Sequence, residues 1–225
     1  MQLKLTCNHC RRHIELEGEN LSGSIKCPNC EGTLTLPSNI LEVGQMLGGF
    51  RVERHLGSGT MGAVYLAEQV SMQREVALKV LPPEVTTDKG EIDNFMHEVR
   101  LLAKMDHPHI VAAYEAGEDD GNYFMAMTYV NGETLDGRVS RNGPMDEYDT
   151  LKAMRRIASA LNYAWTRHHV LHRDIKPDNI IIDDAMSPRL LDLGISQVHG
   201  EQDPEEDKDL LLGTPYFMSP EQRRS

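Results

Sequence analysis

His172-Arg173-Asp174-Ile175-Lys176-Pro177-Asp178-Asn179 is the stretch around which the chain is organised, and six of its eight side chains are charged, titratable or amide-bearing. An aspartate and an asparagine five positions apart, with a lysine between them, suit phosphoryl transfer. That chemistry needs a group to orient an attacking hydroxyl and accept its proton, a cation for the moving phosphate, and an oxygen ligand for magnesium. The triplet His172-Arg173-Asp174 alone is equally compatible with a solvated polar loop after a helix.

Upstream, residues 144–168 predict a helix. Leu151, Met154, Ile157, Ala158, Leu161, Ala164 and Trp165 recur at i, i+3, i+4, i+7, and Asp146, Glu147 and Asp149 favour its positive N-terminal end. Downstream, residues 180–182 and 190–191 read as two short strands bracketing a turn from Asp183 to Pro188, followed by Asp192-Leu193-Gly194.

Farther upstream, Gly57-Ser58-Gly59-Thr60-Met61-Gly62 spells G-x-G-x-x-G, a pattern shared with dinucleotide-binding folds. A helix should follow it in those folds, whereas residues 51–56 and 63–67 both read as strands. Two strands joined by a glycine loop bring backbone N–H groups close to phosphates, and the Lys-Ser/Thr of a P-loop is missing. Residues 76–80 alternate with period two, placing Val76, Leu78 and Val80 on one face and Ala77 and Lys79 on the other. A lysine inside a short apolar strand is costly unless paired, which predicts an acid nearby. Residues 91–104 supply a helix with an apolar stripe of Ile92, Phe95, Met96, Val99, Leu102 and Ala103; Glu98 lies beside that stripe and Glu91 nearly two turns earlier. The run from Asp106 to Ile110, with Pro108, ends it. Strands near 111–117 and 122–129 complete a five-stranded antiparallel lobe.

The first thirty residues hold all four cysteines, Cys7-x2-Cys10 and Cys27-x2-Cys30, separated by sixteen residues. This matches a zinc pattern of two knuckles, in which metal binding folds a segment too small to bury a core. Alternation at residues 14–17 and 34–36 predicts accompanying strands, and His9 and His13 read as surface residues. Redox-active or free cysteine pairs are the alternative. Residues 38–49, punctuated by Ser38, Asn39, Gly44, Gly48 and Gly49, read as a linker.

The formal charge of −12 argues against a nucleic-acid footprint, which needs a Lys/Arg surplus. Residues Met1 to Cys10 hold no apolar leader, and no uncharged run of about 18 residues could span a bilayer. A cytoplasmic location is expected, with a membrane anchor able to follow in a longer parent protein.

Taken in order, the glycine loop, strand lysine, helix glutamate, His172-to-Asn179 loop, Asp192 and Ser219-Pro220-Glu221 resemble Ser/Thr protein kinases over residues 50–221. The style is that of bacterial kinases of the eukaryotic-like type, with Ile175 for the usual Leu, Asp192-Leu193-Gly194 for D-F-G and Ser-Pro-Glu for A-P-E. The resemblance implies an α+β, bilobal protein-kinase-like fold preceded by a small zinc ribbon. Its expected parts are a ribbon over 1–37, a linker over 38–49, and a kinase domain over 50–225 with an N-lobe to 130 and an incomplete helical C-lobe from 131. The further helices that the family implies make a C-terminally truncated fragment of a longer kinase the expectation.

In that family Asp174 positions the substrate hydroxyl and accepts its proton, Lys176 stabilises the γ-phosphate, Asn179 and Asp192 hold Mg²⁺, and Lys79 paired with Glu98 aligns ATP. Gly57, Ser58, Gly59 and Gly62 cover the phosphates. Val64 and Ala77 line the adenine pocket, Met127 is the gatekeeper, and Thr128 to Val130 form the hinge, although a Met at that position also serves as plain core filler. Cys7, Cys10, Cys27 and Cys30 bind structural zinc. The implied activity is transfer of the γ-phosphate of Mg-ATP to a protein Ser or Thr. The alternative is a non-catalytic nucleotide-binding scaffold whose ribbon recruits a partner. Between Ser196 and Thr214 no Ser, Thr or Tyr occurs, and Glu201, Asp203, Glu205, Glu206, Asp207 and Asp209 make this segment acidic. A carboxylate there could pair with Arg173 in place of a phosphorylated residue; a solvated acidic loop is the simpler alternative.

Overall fold

Strands dominate the first 80 residues. The computed structural model describes residues 2–7, 10, 13–17, 23–36, 41–59, 62–81, 89–192, 197–198, 214 and 216–223. Leu193, Gly194 and the acidic residues from Glu201 to Asp209, and with them the choice between a pairing to Arg173 and a solvated acidic loop, lie outside the described residues. Two units are distinguished, residues 1–93 with 113–129 and residues 94–112 with 130–225.

In the first unit, β1 (Gln2–Thr6) pairs antiparallel with β2 (His13–Glu17), and β3 (Gly23–Lys26) with β4 (Thr33–Leu36). Each hairpin carries one cysteine pair. Then come β5 (Met46–Leu47), β6 (Phe50–Gly59), β7 (Gly62–Gln69) and β8 (Arg74–Val80). After α1 (Lys89–Ala103), β9 (Ala113–Asp119) and β10 (Asn122–Thr128) complete the unit. The sheet order is β2-β1-β6-β7-β8-β10-β9, with β5 pairing β6. The expected five antiparallel strands are β6 to β10, and the ribbon extends them: β1 joins β6 in parallel, with Leu5 opposite Ser58.

One face of this sheet is a core of Phe50, Val52, Ala63, Tyr65, Ala67, Val76, Leu78, Val80, Phe124 and Ala126. Phe50 meets Phe124 edge-on at 5.7 Å. Residues 41–49, read as linker from their composition, belong to this core. Leu41 and Leu47 are buried in it, β5 hydrogen-bonds to β6, and the Leu41 N–H donates to the Tyr65 hydroxyl at 3.1 Å. Gly48, at φ +53°, is required because a Cβ there would stand 2.1 Å from the Phe124 ring. Of the glycines that punctuate this stretch, Gly48 is a packing device, whereas Gly44 and Gly49 face open space and serve through positive φ, +88° and +86°.

On α1 the buried positions are Phe95, Glu98, Leu101 and Leu102. The stripe is thus rotated from the one expected: Ala103 is exposed, Leu101 is inside, and Glu98 lies within the buried face. The helix stops five residues before Pro108, so the proline follows the end and does not cause it.

In the second unit, β11 (Gly132–Thr134) leads into α2 (Leu135–Asn142), a helix that the sequence reading did not locate. Thr134 caps α2 by accepting the Gly137 N–H at 3.1 Å. The helix expected over 144–168 is α3 (Glu147–His168). It begins later because Asp146 is its N-cap, accepting the Asp149 N–H at 3.1 Å, and it ends at His169 in the left-handed region, φ 54°. Ala153, Ile157, Ala160 and Ala164 are buried, whereas Leu151 (62% exposed), Met154 and Trp165 from the expected stripe face outward. After β12 (Val170–Leu171), β13 (Ile180–Asp183) and β14 (Pro188–Leu190) pair antiparallel around the expected turn, and β15 (Gln197–Val198) pairs β12. Ile157, Ile180, Ile182 and Leu190 form the local core, with Leu135, Leu161 and Ile175 packed against it. No helix among the described residues is long and apolar enough to cross a membrane.

Candidate active site

The loop from His172 to Asn179 hangs between α3 with β12 on one side and β13 on the other. Ile175 is its apolar anchor in the core, and Pro177 to Asn179 form one 3-10 turn. His172 is buried and its Nε2 meets the Leu191 carbonyl at 3.0 Å, while the Leu191 N–H donates to the Asn179 carbonyl at 2.8 Å. These two bonds tie the strand that delivers Asp192 to the loop that delivers Asp174 and Asn179. Burial holds the His172 pKa below the ordinary histidine value despite the Leu191 carbonyl and the nearby carboxylates. Arg173 and Asp192 both adopt positive φ, 61° and 44°, a costly backbone for non-glycine residues that concentrates where function demands it.

Asp174 is the hub, with its side chain 8% exposed. Its Oδ2 accepts from Lys176 Nζ at 2.6 Å and from Asn179 Nδ2 at 3.1 Å. Its Oδ1 accepts from the Thr214 N–H at 3.1 Å and from the Thr214 hydroxyl at 2.9 Å. Lys176 Nζ also donates to that hydroxyl at 3.2 Å. Burial pushes the Asp174 carboxyl upward, but the Lys176 ammonium, Thr214 and Asn179 outweigh it and hold the pKa below the usual carboxylate value. Asn179 Nδ2 donates in addition to the Asp174 carbonyl at 2.9 Å. Both bonds use the amide nitrogen, which fixes the side chain with its oxygen on the opposite end.

Two residues in this network were missed in the sequence. Thr214, buried between Gly213 and Pro215, reads there only as the first hydroxyl after the acidic run. Gln222 donates to the Arg173 carbonyl at 2.7 Å and exchanges bonds with Ser219, whose N–H it accepts at 3.1 Å while its own N–H meets the Ser219 hydroxyl at 3.3 Å. The Ser219-x-x-Gln222 spacing is a capping-box signal for their mutual bonds, but local spacing signals neither the Thr214 contact with Asp174 nor the Gln222 contact with Arg173.

In the first unit, Lys79 lies on β8 opposite Val64 and Met125, and Ala77 opposite Leu66 and Met127. Paired residues share a face, so Val64, Ala77, Lys79 and Met127 stand together, away from the Tyr65 and Leu78 core. Lys79 is 4% exposed and Glu98, on α1, 3%. Thr128 closes β10, and Val130, in the second unit, is buried. Gly57 and Ser58 are in β6 against Val64 and Ala63, and Gly59 faces Gly62 at the hairpin's end. Gly62 has φ +118° and a Cβ there would lie 2.1 Å from the Val80 carbonyl. The last glycine of the pattern is therefore demanded twice, by its backbone and by its neighbour.

Comparison with known proteins decides what this assembly is. The protein kinase domain family matches residues 50–224. The chain belongs to the protein kinase domain family. Over 183 residues it is 36% identical to Serine/threonine-protein kinase PrkC of Bacillus subtilis, covering 81% of this chain and 28% of that protein. It is 39% identical over 181 residues to Serine/threonine-protein kinase pkn2 of Myxococcus xanthus, covering 78% and 21%. The solved kinase domain of Mycobacterium tuberculosis PknI superposes with a TM-score of 0.61 at 34% identity, covering 69% of this chain and 62% of that one. The chain thus spans between a fifth and a third of these curated relatives' length. Both the α+β kinase fold and the resemblance to bacterial Ser/Thr kinases stand.

A second site lies in the ribbon. The sulfurs of Cys7, Cys10, Cys27 and Cys30 all fall within 4.8 Å of one another, and none forms a disulfide. Cys7 to Cys30 measures 3.6 Å and Cys10 to Cys27 3.7 Å. A tetrahedron of thiolates about 2.3 Å from zinc has edges of about 3.8 Å, so the four fit that ion. The Cys10 N–H points at Cys7 Sγ and the Asn29 N–H at Cys27 Sγ, 3.5 and 3.4 Å away, as in knuckles that stabilise thiolate charge.

Proposed function

We propose that this chain is the catalytic module of a Ser/Thr protein kinase, transferring the γ-phosphate of Mg-ATP to a protein hydroxyl. The observation that carries this reading is the complete set of partners around Asp174. A carboxylate held by a lysine, an asparagine and a threonine is pre-oriented, and orientation is most of what a loose phosphoryl-transfer transition state asks of the protein. Its depressed pKa suits a group that accepts a hydrogen bond from the substrate hydroxyl and takes the proton late. Lys176, 2.6 Å from that carboxylate, supplies positive charge where the transferring phosphoryl group would pass.

Asn179, through its amide oxygen, and Asp192, through its carboxylate, would hold magnesium, which when bound neutralises phosphate charge. By the family's pattern, Lys79 would meet the α- and β-phosphates and Glu98 would be its ion partner. Val64, Ala77, Met127 and the 128–130 segment would enclose the adenine, and Gly57 to Gly62 the phosphates. Cys7, Cys10, Cys27 and Cys30 would hold one structural zinc, closed to catalysis, in a ribbon domain over about 1–37; a protein partner for it remains part of this reading. The intact hub favours catalysis over a scaffold role. Transfer of labelled γ-phosphate to a generic Ser/Thr substrate, compared with Asp174→Ala, tests it: the variant should lose at least about a hundredfold, and equal signals refute the assignment.

A further inference from the structure

The glycine-rich strand is held from behind. Along β6 the register with β7 slips between His55 and Gly57: His55 faces Tyr65, Gly57 faces Val64 and Ser58 faces Ala63. In a regular strand, residues three apart point to opposite faces. The extra residue at this bulge restores His55 and Ser58 to the same one. That face is the core face, because their partners Tyr65 and Ala63 lie in the core. Val64 and Lys79 lie on the other.

His55 Nε2 stands 2.7 Å from Ser58 Oγ. The ring packs edge-on against Tyr65, centroids 5.3 Å apart, and Tyr65 is itself fixed by the Leu41 N–H. Nδ1 is enclosed and meets no hydrogen-bond partner among the described residues. A buried N–H without an acceptor costs more than a bare lone pair. The proton therefore sits on Nε2 and is donated to Ser58, and the ring stays neutral, since burial lowers its pKa to about 4. The main chain of Ser58 is flanked as well, by Ala63 of β7 and Leu5 of β1.

We propose that His55 is a positioning residue for the nucleotide: its bond to Ser58 anchors the entry of the Gly57-to-Gly62 loop on the side away from Lys79, which sets the affinity for the phosphates of a nucleoside triphosphate. The proposal rests on the Mg-ATP reading of the site. His55 touches no nucleotide in this scheme; it removes freedom that the loop would otherwise lose on binding.

The dissociation constant for a non-hydrolysable ATP analogue with Mg²⁺, measured by titration calorimetry, tests it. His55→Leu should weaken binding about three- to tenfold, the worth of one net hydrogen bond. His55→Gln, whose Nε2 can reach where the imidazole Nε2 lies, should recover most of that. Ser58→Ala should reproduce the loss, and the double variant should add nothing further, since both remove one interaction. In turnover the effect should appear in KM for ATP far more than in kcat. Unchanged affinity in His55→Leu, or additive losses in the double variant, overturns the anchor while leaving the kinase reading standing. Should His55→Leu not fold, unchanged affinity in Ser58→Ala alone overturns it. A wild-type chain that binds no Mg-nucleotide overturns the reading beneath it.

Discussion

Replacing Thr214 by valine removes one hydroxyl at nearly constant volume, from the centre of the hub. The hydroxyl donates to Asp174 Oδ1 at 2.9 Å and accepts from Lys176 at 3.2 Å; the Thr214 N–H, which reaches the same oxygen at 3.1 Å, is untouched. A hydrogen bond to a charged group is worth about 1.5–3 kcal/mol. Oδ1 keeps its backbone donor, so no acceptor is orphaned, and folding should lose no more than about that amount. The carboxylate, however, loses the bond that fixes its rotation about χ2. If orientation is what Asp174 provides, the same range appears in the barrier, and kcat/KM should fall about 10- to 100-fold at about 1.4 kcal/mol per decade. Affinity for Mg-nucleotide should be nearly unchanged. The Asp174 pKa should move back toward the ordinary carboxylate value, shifting the acid limb of the pH–rate profile upward, and Thr214→Ser should restore both. Steady-state kinetics with a peptide substrate, alongside calorimetric nucleotide binding, reads all of this. Wild-type kcat/KM in the valine variant, or equal damage in the serine variant, refutes the orienting role.

Metal analysis should find about one zinc per chain, lost in Cys27→Ser; because β1 pairs with β6 beside Ser58, a chelator should speed amide exchange in residues 2–6 and weaken nucleotide binding while β7 and β8 stay protected. Retained protection in the chelated ribbon would argue against a metal-built fold. Gln222→Ala should lower kcat several-fold by releasing the Arg173 carbonyl, and Gln222→Glu, which cannot donate, should not rescue it; a wild-type rate in either excludes the tether. Stability should fall as pH drops from about 6.5 to about 4. The native state leaves His55 and His172 neutral where the unfolded chain protonates them, and the depressed Asp174 adds a loss of the same sign below its unfolded value of 3.8. Denaturant midpoints at pH 7 and 5 measure this, and a higher midpoint at pH 5 contradicts it.

What could be read in the sequence is whatever depends on neighbours along the chain. Alternation located β2, β4 and β8, and the 3.6-residue period located α3, because solvent and core sort side chains locally. Cysteine spacing announced the ribbon for a similar reason: a four-thiolate site needs pairs in tight turns. Contacts between distant segments were opaque. Leu41 and Leu47 sit among glycines and polar residues, and only the Tyr65 hydroxyl and the Phe124 ring show that they belong to the core. The face of α1 was misjudged because Glu98 was treated as polar, hence marginal, when a buried glutamate occupies the stripe itself.

Thr214 and His55 sharpen the point. Each acts at a backbone irregularity or across a long sequence separation: a bulge makes His55 a neighbour of Ser58, and forty residues separate Thr214 from Asp174. Motifs mark the groups that could touch substrate, since their chemistry restricts residue type. The groups that hold those residues still need only a donor or acceptor in the right place, so many residue types and spacings serve. Two chains sharing every motif residue can therefore differ in the anchoring around them, and nucleotide affinity and pH response are the properties in which this chain's His55 should set it apart.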